Sequence, residues 1–171
     1  MPFDPAPDLF YVGRGEYRVT NDSVYVGKHQ RLPIRRGFLT DLATSPRIFW
    51  AWIPPFGVYE KAAVLHDWLL SLLWKWQHEK NAEPAPVSSV DIDGLFRRVM
   101  HEGGVGFVKR WVMWAAVRWG AMFSKDGYRR AGWWSWPEAP LVLLITAAEA
   151  VTLIAGAVGI HLAVDWIWSL L

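Results

Sequence analysis

AAVLHDWLL, residues 62–70, sets one histidine in an apolar helical stripe. Three and four positions either side of His66 stand Ala62, Ala63, Leu69 and Leu70, with Tyr59 and Leu73 a turn further out. Residues at that spacing share one helix face, so His66 is expected to point into the core. A buried imidazole needs a hydrogen-bond partner. Asp93 is the candidate, because it sits beside Ile92, Leu95 and Val99 at the edge of a second apolar stripe. Two facing helices would bring it against His66. A carboxylate in that position fixes the imidazole tautomer and raises its basicity.

Asp67 is turned about 100° further around the helix. It shares a more polar line with Glu60, Ser71 and Lys75. His66 and Asp67 therefore cannot hold one small ion side by side, but they can line adjacent walls of a cleft. Asp41, in the loop of residues 40–47, is a further acid for such a cleft, with Ser45 and Arg47 nearby. As chemistry, His66 would be a general base and Asp93 its orienter. Asp67 and Asp41 would be electrostatic partners or ligands of a divalent cation, and Arg47 with Ser45 would bind an anion. Each has a plainer counterpart. His66 and Asp93 form a buried polar pair that sets helix register. Asp41 makes an Asx-turn or cap before Pro46. Arg47 pairs with Asp41 or Asp67. Residue type alone does not choose between these.

Short alternating stretches precede this region, at residues 9–12, 17–20, 24–26 and 32–34. Gly13, Gly15, Asn21–Asp22 and Gly27 punctuate them, which predicts a small N-terminal antiparallel sheet. A loop, GFLTDLATSPRIFW, covers residues 37–50, and Pro54–Pro55 ends any short helix over residues 46–53. Helices are predicted over about residues 59–77, 90–101 and 105–123. NAEPAPVSS is a linker whose Ser88 or Ser89 caps the second helix, and Gly103–Gly104 breaks it. The expected class is α+β: a small sheet packed with three helices, plus one C-terminal transmembrane helix.

The transmembrane expectation rests on LVLLITAAEAVTLIAGAVGI, residues 141–160, which holds one ionisable group, Glu149. Twenty helical residues at about 1.5 Å each match the roughly 30 Å bilayer core. Trp133, Trp134 and Trp136 precede the run, and Trp166 and Trp168 follow it. Indole rings favour the membrane–water boundary. All Lys and Arg lie at or before Arg130, which predicts a single-pass protein with its N-terminal domain in the cytoplasm and its short tail translocated. Against this, Glu149, His161 and Asp165 are costly in lipid and fit a buried amphipathic helix. Ala147, Ala148, Ala155, Gly156 and Gly159 are small enough for close helix contact, so a homo-oligomer through the anchor is an expected partner state.

Residues 1–130 carry 18 basic and 13 acidic side chains, with no run of Lys or Arg longer than two. That mild excess suits an anionic membrane surface, and no nucleic-acid partner is expected. The absence of cysteine excludes disulfides and thiolate metal sites. The organisation reads as a loose N-terminus at 1–9 and a domain at 10–130. A Trp-rich juxtamembrane segment follows at 131–140, then the anchor at 141–171.

GFLTDLATSPRIFW, VYEKAAVLHDWLL, DIDGLFRRVM and the helix ending in AAVRWG resemble, in order and spacing, the bacteriophage and prophage family catalogued as domain of unknown function 1353. The likeness covers about residues 10–120. The family's marked positions fall on Thr40, Asp41, Ser45, Pro46, Arg47, His66, Asp67 and Asp93. Leu70 stands where the family usually has tyrosine, and Ile92 where it often has alanine. The resemblance implies a phage origin, hence the bacterial host's inner membrane for the anchor, and phage lysis or envelope proteins as partners. It implies no established activity. The His–Asp pair is also similar to that of secreted phospholipases A2. There the histidine is a base, a distant aspartate orients it, and the neighbouring aspartate holds calcium. That likeness is one of chemistry alone, since this chain has neither the cysteines nor the tyrosine. Two functions are expected on this footing. One is a membrane-anchored hydrolase of envelope material. The other is a membrane accessory protein in which the His/Asp set is structural.

Overall fold

The computed structural model describes residues 2–28, 30–42, 57–79, 83, 88–123 and 139–169. Five strands come first: β1 Leu9–Gly13, β2 Glu16–Val19, β3 Ser23–Val26, β4 Arg31–Ile34 and β5 Leu39–Thr40. Four helices follow: α1 Glu60–His78, α2 Ser89–Glu102, α3 Phe107–Phe123 and α4 Ala139–Ser169. The class is α+β, as the periodicities predict.

The strands form two sheets rather than one. β1, β2 and β5 make an antiparallel sheet in that order, and β3 pairs with β4. The β1–β2 turn needs left-handed backbone at Gly13, Arg14 and Gly15, with φ of 106°, 56° and 84°. Glycine at two of the three positions removes most of that steric cost. β5 lies within the stretch read as loop. A two-residue strand shows no alternation, so only its partner β2 reveals it, through Tyr17↔Thr40 and Arg18↔Leu39. Residues 2–8, expected to be loose, run along the second sheet. The amide of Asp4 donates to Val24 O, that of Val26 donates to Pro2 O, and Phe3 is buried against Tyr25.

Ser88 caps α2 by accepting from the amide of Asp91. Gly104, at φ 83°, closes that helix. Its amide donates to His101 O and that of Val105 donates to Met100 O, the paired bonds of a Schellman end. This end uses Val105, which is why α3 starts at Phe107 and not at 105. The core lies where α1 meets α2 and the sheets. Leu65, Leu69 and Leu73 of α1 are buried with Ile92, Phe96 and Val99 of α2 and with Val19, Leu32 and Ile34 of the strands. Full burial of each such side chain contributes about 1.5–3 kcal/mol. α2 packs in turn on α3, and α3 on α4.

α4 departs from the expected membrane span. Its first turns are occupied by protein: Ala139 and Val142 are buried with Trp114 and Ala115, and Trp119 Nε1 donates to Thr146 Oγ1 at 2.7 Å. Among the described residues, no helix is long and apolar enough to cross a membrane. Trp133, Trp134 and Trp136, like the short helix expected at residues 46–53, lie outside the described residues.

Candidate functional site

α1 carries His66 into the core and turns Asp67 toward solvent, as their offset of about 100° requires. The structure brings His66 and Asp93 together, with Nε2 at 2.8 Å from Oδ1. Asp93 is shared. Its Oδ2 accepts from Arg118 Nη1 of α3 at 2.6 Å. Arg118 is 0% exposed and His66 and Asp93 are buried, so three helices are tied by one charged set inside the core. The ring of Phe96 closes over the imidazole, with centroids 5.0 Å apart.

The other ring nitrogen faces Asp67, with Nδ1 at 3.6 Å from Oδ1. Asp67 Oδ2 accepts from the Thr40 hydroxyl at 2.5 Å. That hydroxyl oxygen accepts in turn from the amide of Leu42 at 3.0 Å. The bond helps hold Leu42 at φ 56°, a conformation costly for a side chain of its size. The β2–β5 pairing thus delivers Thr40 to the site.

Electrostatics follow from this row of alternating charges. Burial opposes a positive imidazole. The hydrogen bonds and charges of Asp67 and Asp93 outweigh it and raise His66 to about 9. The raised value favours the imidazolium at neutral pH, with Nε2 donating to Asp93 Oδ1.

Asp67, 24% exposed, is where the buried row meets solvent. It lines a groove of about 480 Å³ with Glu16, Phe38, Leu39, Thr40, Asp41, Leu70, Ser71, Trp74 and Lys75. Asp41 and Asp67 therefore share one groove, as anticipated. Among the described residues, no group of three or more His, Cys, Asp or Glu is placed to hold a metal ion. Ser45 and Arg47 lie outside the described residues. Two members of the site were given no role from sequence. Thr40 was legible only as a family position. Arg118 carried a usable signal: it stands three and four residues after Ala115 and Trp114, as a lone cation on an apolar helix line.

Fold and site define an α+β domain whose helices are clasped by a buried Arg–Asp–His set beside an open acidic groove. The chain belongs to the family described as "Protein of unknown function (DUF1353)", which matches residues 17–117, well over half its length. No curated protein and no solved structure matches it.

Proposed function

We propose that this is a membrane-anchored accessory protein of the bacterial envelope, of phage or prophage origin, in which His66, Asp93 and Arg118 form a structural clasp. The observation that carries the reading is the state of α4. Every described side chain from Ala147 to Trp166 is exposed. Val151 and Ile160 are 66% and 69% exposed, and at 100° per residue they lie on opposite sides of the helix. A helix with bare apolar side chains on opposite sides is stabilised by apolar surroundings, which the acyl region of a bilayer supplies. The distribution of Lys and Arg supports a cytoplasmic domain in the inner membrane. The family resemblance supports the phage origin.

The protonated, enclosed His66 supports a clasp rather than a base. A second reading, a hydrolase, is favoured by one feature: Asp67 is a carboxylate fixed by Thr40 in a groove that Asp41 also lines. In that case Asp67 would be the base, and envelope material the substrate.

The test is fractionation of the full chain beside one that stops after Ala148. The full chain should stay with membranes through high salt and be released by detergent, whereas the shorter one should be soluble with the same melting temperature. A full chain that is soluble without detergent rejects the anchor. Asp67→Asn separates the two readings of the groove. Loss of envelope-directed activity at unchanged abundance is the hydrolase outcome, and retained activity is the accessory one.

A further inference from the structure

The three-stranded sheet has an outer face whose chemistry differs from that of the Asp67 groove. Cross-strand partners point to the same face. Phe10 pairs with Arg18, and Arg18 with Leu39, so these three form one row across the sheet. The next row, Tyr11–Tyr17–Thr40, points to the opposite face, toward Asp67. Phe10 is 63% exposed and Leu39 47%. Arg18 and Leu39 also line a separate groove of about 550 Å³ with Val19, Thr20, Arg36 and Gly37. Among the described residues, no carboxylate forms an ion pair with Arg18 or Arg36. Arg18 and Arg36 are the charged residues that line that groove, and Asp22 Oδ1 accepts from the Arg36 amide at 2.9 Å rather than from its guanidinium.

A large aromatic, a leucine and two guanidinium groups on one surface match the layering of a bilayer boundary. Apolar side chains enter the headgroup–acyl zone, and guanidinium groups chelate phosphate oxygens. We propose that this sheet face docks on an anionic lipid surface, with Phe10 and Leu39 inserted and Arg18 and Arg36 on lipid phosphates. Charge complementarity commits the occupant. Two residues along the strands, Glu16 beside Arg18 on β2 and Asp41 after Leu39, repel phosphate and keep headgroups on the arginine side. The proposal rests on the reading of α4 as an anchor, which brings the domain to the bilayer.

The chain has no cysteine, so Phe10→Cys accepts a single environment-sensitive fluorophore. Val58→Cys, in the exposed turn before α1, serves as the control. Each full-length protein is reconstituted into phosphatidylcholine vesicles with or without phosphatidylglycerol, and iodide quenching is measured. The label at position 10 should shift to the blue and be quenched about twofold less with phosphatidylglycerol present, while the label at position 58 should not change. Arg18→Gln with Arg36→Gln, or high salt, should abolish the difference while the chain still co-floats through α4. Co-flotation with an equally quenched label at position 10 overturns this proposal alone. Protection that already appears in detergent without lipid also overturns it, by showing that another protein surface covers the face. Failure to co-float with either vesicle overturns the anchor and the docking face together.

Discussion

His66 sits in a sequence of charges that alternates from the core outward: guanidinium of Arg118, carboxylate of Asp93, imidazolium of His66, carboxylate of Asp67. Its folded pKa of about 9 lies above the ordinary 6.5. A raised value of this kind stabilises fully below about pH 6.5, and the gain is lost as pH climbs through 9. The melting temperature should therefore fall across that window, and His66→Gln should flatten the fall. Imidazole NMR should give a midpoint near 9, and a midpoint at the ordinary value would refute the clasp. Arg118→Met leaves Asp93 buried with one cation fewer. Breaking such a buried pair costs about 3–5 kcal/mol, readable by equilibrium unfolding. A loss under about 1 kcal/mol would show that Arg118 is not what pairs the buried Asp93.

Among the elements, α2 shows how local chemistry sets a boundary. Ser88 Oγ accepts from the amide of Asp91, so Ser88→Ala should cost about 0.5–2 kcal/mol in urea unfolding. No change would mean that another group caps the helix. α4 divides at about Thr146: docked on α3 before it, exposed after it. A chain ending at Ser135 should melt lower than one ending at Ala148, because it uncovers Trp114 and Ala115. Equal melting would mean that the α3–α4 contact contributes nothing. α1 and α2 were legible to within a residue from periodicity and caps, and the N-terminus of α3 to within two. β5 was not, because two residues carry no pattern, and it places Thr40 only through pairing with β2.

At the scale of the whole molecule, polar links join the strands to the helices. Tyr25 of β3 donates to Glu102 of α2 at 3.1 Å, and burial with that bond pushes its hydroxyl up to about 12. Tyr25→Phe should cost about 0.5–1.5 kcal/mol in denaturant titration, with an unchanged fold. An unaltered midpoint would show that the ring's packing alone joins the two layers. By itself the sequence determined the helices, their caps, the inward aim of His66 and its partner Asp93. These follow from spacing along one helix and from the rule that buried polar groups must be paired. The tertiary structure alone decided that Arg118 completes the pair, that Thr40 holds Asp67, that two carboxylates raise the His66 pKa against its burial, and that α4 is covered at one end and bare at the other. Periodicity tells each helix which face is apolar. It does not tell which segment, tens of residues away, will cover that face, and a group's charge state depends on that cover.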